Sequence, residues 1–338
     1  MTESKAMILG CAGQQLTADE IALYRAERPW GFILFARNLG EPSQIKDLVA
    51  SMREAIGRPD APVLIDQEGG RVQRIRPPTV QHYPAGAALG ALYRQDRTKG
   101  LRAAWLMSRL HAFDLLPLGI TINCMPVLDV LIEGATKAIG DRAYGTEPDL
   151  VAAVGRAAAE GLKAGGMLPV MKHMPGHGRA VVDSHHELPV VNATIEELDA
   201  HDFMPFRSLK DEVMGMSAHI VFKAIDPDRP ATTSSIVIQD VIRKRIGFDG
   251  LLLSDDSSMN ALKGTLGERA ADIIAGGCDI VLHCNGVMDE MKAVVKEVPV
   301  LSGRSFDRAQ IAEMAFAAPQ ADDEEALRAE FWSLMATA

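Results

Sequence analysis

The chain has 338 residues, 47% of them hydrophobic and 24% charged, a globular composition that excludes disordered, collagen-like and low-complexity proteins. Thirty-five basic against 45 acidic residues give a formal charge of -10. The basic excess of a nucleic-acid groove or an anionic-membrane surface is therefore missing.

In chain order, short apolar runs at 6–9, 31–35, 62–66, 121–127, 168–173, 213–219, 250–255 and 279–284 predict strands. They are near-continuously apolar rather than alternating, as strands buried on both faces are. Between them lie helical stretches at 43–56, 101–116, 148–164, 235–246, 267–275 and 287–298. Thr194 with Glu197 forms a capping box that opens another helix. Two more helices are expected after Ser305, the last opened by acidic residues 322–325 that suit a helix N-terminus. Eight strands with intervening helices predict a (β/α)8 TIM barrel as a single domain over 1–338, with helices from about 305 packed on it. An open doubly wound sheet is the alternative. The longest non-helical connections are expected at 67–89 and 174–191, and loops of that length commonly carry function.

Cys11, Cys124, Cys278 and Cys284 are sparse and show no C-x-x-C pair. They predict buried thiols and a reducing compartment rather than a disulfide framework or a zinc site. The apolar run before Cys11 starts only at Ala6, shorter than the roughly 7–15 residues of a secretory core. No stretch approaches the ~18 apolar residues of a membrane span, so a soluble cytoplasmic protein is expected.

The polar residues gather at the C-terminal ends of the predicted strands: Asp66, Asp129, Lys172 with His173, His219, Asp255 with Asp256, and His283. In a parallel barrel these ends share the rim where catalytic groups sit. His173 and His177 are four apart, as in helical zinc motifs, but Pro175, Gly176 and Gly178 argue against a helix there. Asp183 and His185 are two apart, so in an extended loop the carboxylate can reach the imidazole and tune it as a proton donor. Asp255, ending an apolar strand, is the candidate nucleophile; strand alternation lets only one of Asp255 and Asp256 face a pocket. The carboxylates and arginines from Asp66 to Arg74, with Arg142 further on, suit a hydroxyl-rich ligand.

Together, 66–74 (D-Q-E-G-G-R-V-Q-R), 141–145 (D-R-A-Y-G), 172–178 (K-H-M-P-G-H-G), 183–185 (D-S-H) and 254–259 (S-D-D-S-S-M) resemble family 3 glycoside hydrolases, specifically the single-domain bacterial β-N-acetylglucosaminidases of the NagZ type. The resemblance implies a TIM-barrel exo-hydrolase that retains anomeric configuration and needs no cofactor or metal. Its implied substrate is a GlcNAc-1,6-anhydro-N-acetylmuramic acid fragment, with or without peptide, met during peptidoglycan recycling. It implies Asp255 as nucleophile, His185 as acid/base and Asp183 as its partner, with Asp66, Arg74, Arg142, Lys172 and His173 binding the sugar. A monomer with a small-molecule substrate and no nucleic-acid or membrane partner is expected. Ser257 departs from the family's usual Leu, which is expected to alter local packing, and residues 180–182 lack the Thr many members carry near this point, which is expected to alter loop stability. A metal-dependent hydrolase using His173, His177 and His185, a phosphorylase using the same residues, and a silent sugar-binding protein are the rival readings.

Overall fold

The computed structural model describes residues 3–135, 137–184 and 187–336. Its strands are β1 (Lys5–Leu9), β2 (Pro29–Leu34), β3 (Val63–Ile65), β4 (Gln67–Gly69), β5 (Val72–Gln73), β6 (Ile122–Asn123), β7 (Leu168–Pro169), β8 (Met171–Met174), β9 (Val190–Val191), β10 (Met214–Ser217), β11 (Val221–Phe222), β12 (Leu251–Leu253) and β13 (Val281–His283). One parallel sheet runs β13-β1-β2-β3-β6-β7 and a second β12-β10-β8. Two isolated parallel bridges link the two sheets: Val127, beyond β6, to Lys172 of β8, and Leu253 of β12 to Ile280, just before β13. Met7, Ile8, Leu9, Phe32, Leu64 and Leu252 are fully buried, which explains why these strands read as unbroken apolar runs.

Around the strands lie α1 (Ala18–Glu27), α2 (Pro42–Ile56), α3 (Gly86–Gln95), α4 (Arg97–Leu115), α5 (Pro148–Ala164), α6 (Ile195–Ala200), α7 (Met204–Ser208), a π-type helix Val237–Ile246, α8 (Leu266–Gly276), α9 (Met288–Glu297), α10 (Gly303–Met314) and α11 (Glu324–Met335). The capping box at Thr194 and Glu197 opens α6 as expected, and Thr265 with Glu268 repeats the device at α8. Among the described residues no helix is long and apolar enough to cross a membrane. All four cysteines are free and buried, as the sequence predicted.

Several boundaries differ from expectation. The fourth predicted strand shortens to β6, because Pro126 has no N–H to offer a ladder. The fifth splits into β7 and β8, each serving a different sheet. The connection predicted at 67–89 instead holds the β4–β5 hairpin and the start of α3. Gly69 and Gly70, with φ of 100° and 56°, make its tight turn; a Cβ on Gly69 would meet the Pro84 carbonyl at 2.2 Å. α4 starts four residues earlier than predicted, where the Asp96 carboxylate accepts the Lys99 N–H.

The last two helices are pinned by buried ion pairs. Asp279 accepts from Arg243 (2.7 Å), Arg308 (3.0 Å), Ser305 (2.6 Å) and the Leu252 N–H (2.9 Å), fixing α10 beneath the strands. On α11, Arg328 donates to the Tyr83 hydroxyl at 3.0 Å and to Asp114, while Tyr83 donates to Asp114 at 2.7 Å. The Tyr83 carbonyl in turn accepts the Gly70 N–H of the hairpin turn at 2.9 Å.

Candidate active site

The C-terminal strand ends enclose a cavity of about 270 Å³ bordered by Asp66, Arg74, Arg142, Lys172, His173, Asp183 and Asp255, with Phe35, Met216 and Met259 as apolar walls. Every sequence-predicted site residue among the described ones therefore reaches the same space. His185 lies outside the described residues.

Asp66 follows β3 directly and receives Lys172 Nζ and Arg74 Nη2, both at 2.9 Å. The hairpin that delivers Arg74 is held by amide side chains. Asn123 at the end of β6 pairs with the Gln67 backbone through its carbonyl (3.0 Å) and its amide (2.9 Å), imitating a strand neighbour. Gln67 Oε1 then accepts the N–H groups of Arg74 and Ile75, both at 3.0 Å. Arg74 also lies over the Phe35 ring, 4.9 Å from its centroid. Burial pushes the Asp66 carboxyl upward, but Lys172 and Arg74 outweigh it and hold the group well below the usual carboxylate range. Burial likewise disfavours the Lys172 ammonium, and Asp66 and Glu68 more than offset this, leaving it above its ordinary value.

Lys172 and His173 are consecutive on β8, and both border the cavity. His173 Nδ1 sits 2.7 Å from Asp129 Oδ2, while Asp129 Oδ1 accepts the backbone N–H groups of His173 (3.1 Å) and His177 (2.7 Å). Burial opposes ionisation of Asp129, yet His173, His177 and these N–H groups take its carboxyl down to about 2. A carboxylate on Nδ1 keeps the proton there and directs Nε2 away from Asp129. His177 does not share a ligand position with His173; its Nε2 meets Ser184 Oγ at 3.1 Å.

Asp255 stands two residues beyond β12, and its Oδ1 accepts the Asp256 N–H at 2.8 Å. Burial raises its carboxyl pKa, but His173, His219 and that N–H outweigh burial, so the group ionises below its ordinary 3.8. Asp256 also borders the cavity, contrary to the one-in, one-out expectation. Strand alternation no longer applies there, since β12 ends at Leu253. Asp256 is nevertheless committed to the turn, accepting from the Ser258 N–H (3.0 Å), Ser258 Oγ (2.6 Å) and the Cys284 N–H (3.1 Å).

A model of the glycosyl hydrolase family 3 N-terminal domain matches residues 14–313. The chain belongs to glycosyl hydrolase family 3. Within it, the chain is 38% identical over 297 residues to a β-hexosaminidase of Alkalilimnicola ehrlichii, covering 87% of this chain and 84% of that one. It is 33% identical to a β-hexosaminidase of Idiomarina loihiensis, covering 96% and 97%. The structure of NagZ from Neisseria gonorrhoeae in complex with N-trifluoroacetyl-D-glucosamine superposes with a TM-score of 0.86 at 31% identity, over 99% of this chain and 97% of that one. The motif resemblance to the NagZ type thus extends over the whole fold.

In this family 3 hydrolase, strand-end position alone overcounts the site. Asp129, His219 and His283 sit behind the cavity rather than in it. His219 is buried between Thr232 Oγ1 (2.9 Å) and the Asp256 carbonyl (3.0 Å). The Ser257 departure is accommodated: its buried hydroxyl meets His283 Nδ1 at 3.0 Å, and a buried polar group with a partner carries little cost. The buried Ala180 packs into the core from the loop. Glu68 was missed as a site residue, although it stands two residues from Asp66 on the same face and takes Lys172 at 2.7 Å. The i, i+2 rule applied to Asp183 and His185 would have flagged it.

Proposed function

We propose that this β-N-acetylhexosaminidase removes terminal β-linked N-acetylglucosamine from soluble peptidoglycan fragments such as GlcNAc-1,6-anhydro-N-acetylmuramic acid, with or without peptide, by a retaining mechanism. The observation that carries it is Asp255: a carboxylate kept ionised at the cavity wall, facing a space bordered by Asp66, Arg74, Arg142, Lys172 and His173. The ion-paired cations and carboxylates supply the directed donors and acceptors a sugar requires, and the names of the relatives supply the sugar.

In the first step an Asp255 carboxylate oxygen attacks the anomeric carbon. The glycosidic bond breaks, and His185 as imidazolium gives its proton to the departing oxygen. In the second step neutral His185 takes a proton from water, whose oxygen attacks the same carbon and releases Asp255. Asp183, bordering the cavity, orients and charges that imidazole. Most retaining enzymes use two carboxylates about 5–5.5 Å apart; here an Asp–His pair fills the second role.

The same reading takes the strands as a closed eight-stranded barrel in a single domain over 1–338, supported by the two parallel bridges between the sheets, and the protein as a cytoplasmic monomer without cofactor. Hydrolysis of an aryl β-GlcNAc beside an aryl β-glucoside, with mass spectrometry of the quenched protein, tests the function. Preference for the aminosugar and a mass increment on the Asp255 peptide are expected. Equal rates on both sugars, or an adduct elsewhere, would overturn it.

A further inference from the structure

The geometry points to Glu68 as a positioning residue: a carboxylate set behind the cavity that holds Lys172 and Arg142 in register as paired sugar-binding cations. The inference rests on the assignment of those two cations to the sugar.

The charges in this wall form an alternating chain. Arg74 reaches Asp66 at 2.9 Å, Asp66 reaches Lys172 at 2.9 Å, and Lys172 reaches Glu68 at 2.7 Å. Glu68 in turn takes Arg142 in a two-pronged pair at 2.8 Å each. The two carboxylates are not equivalent. Asp66 borders the cavity and can itself accept from a ligand, whereas the Glu68 side chain is 6% exposed and does not border it. Both Lys172 Nζ and Arg142 Nη2 converge on one atom, Glu68 Oε1. Two like charges meet at one oxygen only if it is ionised, so the spacing of the two cations depends on that single charge. A buried ion network is rarely retained for stability alone, because desolvation offsets most of the attraction. Here the cations border the cavity, and a fixed fork sets the direction in which their remaining N–H groups point. The Glu68 carboxyl is accordingly held at about 2: burial raises it, and Arg142 and Lys172 pull it down further.

Removing the charge has one readable effect. Lys172 and Arg142 repel and leave register, weakening the grip on the sugar before and during reaction, so KM carries most of the loss. Lys172 also loses one of the anions that keep it protonated. The charged or titratable groups around it are Asp66 after β3, Glu68 on β4, Cys124 after β6, Arg142 in the following connection, His173 beside it and Asp255 after β12. Asp66 still holds the Lys172 ammonium at 2.9 Å when Glu68 is neutral, and the alkaline limb of kcat/KM follows the His185 imidazolium instead, so the readout is KM against kcat.

The test compares wild type with Glu68→Gln on an aryl β-GlcNAc, with circular dichroism and thermal melts as folding controls. The expected result is a KM raised roughly 10- to 100-fold with kcat within a few-fold. A carboxylate with a merely structural role lowers Tm and leaves KM in place; that outcome in a folded E68Q overturns the proposal. If E68Q does not fold, Glu68→Asp keeps the charge but withdraws it by one methylene. An intermediate KM supports the proposal, and a wild-type KM overturns it. Failure of the wild type to hydrolyse the aryl β-GlcNAc overturns the functional reading instead, and is seen before any variant is compared.

Discussion

Replacing Asp129 with Asn changes one atom in a residue outside the cavity and should be felt inside it. Asp129 Oδ1 already serves two backbone N–H groups, and the amide oxygen can keep both. The amide nitrogen then falls 2.7 Å from His173 Nδ1, where it donates and forces that nitrogen to accept. The imidazole proton moves to Nε2, and the ring loses its charged hydrogen-bond partner. Losing a hydrogen bond with a charged partner costs about 1.5–3 kcal/mol, so kcat/KM on an aryl β-GlcNAc should fall about 10- to 100-fold. Stability moves with it. A carboxyl taken from 3.8 to about 2 on folding contributes about 2 kcal/mol at neutral pH. The sign follows from the depressed value: the contribution is fully present above about pH 4 and is lost as pH falls toward the folded value. Asp129→Asn should therefore lower the neutral-pH unfolding free energy by about that amount and flatten its acid dependence. Steady-state kinetics, urea unfolding at neutral and acid pH, and ¹⁵N chemical shifts of the His173 ring measure the three effects. A variant with wild-type kcat/KM and an unchanged ring tautomer would refute the reasoning.

Asp255→Ala should reduce kcat by roughly 10⁴-fold or more, since covalent catalysis has no substitute nucleophile, and should abolish the trapped glycosyl adduct in mass spectra; near-normal turnover excludes the assignment. Because Asp255 ionises below 3.8, its nucleophilic form prevails above that value, and kcat/KM should lose little to its protonation above about pH 5; an acid limb near 6 that shifts in Asp255→Glu contradicts this. Asp279→Ala leaves Arg243 and Arg308 facing each other in a buried site and should cost about 3–5 kcal/mol, read as a lower urea midpoint while KM of the folded fraction stays put.

The strand centres were legible because burial on both faces leaves an apolar run that composition alone exposes, as at 6–9 and 251–253. The site was legible because Asp66, Lys172, His173 and Asp255 cluster at strand ends. Local backbone chemistry was not. The β4–β5 hairpin depends on Asn123, some 50 residues away, pairing its side chain with the Gln67 backbone, and no periodicity signals such a bond. Helix α3 reads weakly because its Gly-rich sequence carries no clear stripe, yet its glycines are required: a Cβ on Gly90 would lie 1.7 Å from the Tyr144 carbonyl. The functional rank of Glu68 was hidden for a related reason. Its importance comes from two partners that arrive from other parts of the chain.

Tyr83 joins two regions that a linear reading keeps apart. Its hydroxyl is gripped by Arg328 of α11, and its carbonyl takes the turn of the hairpin that delivers Arg74. Helix α11 thereby acts as a remote tether on the hairpin's tip, a cross-brace through which a change at Arg328 is passed by way of Tyr83 to the turn ahead of Arg74.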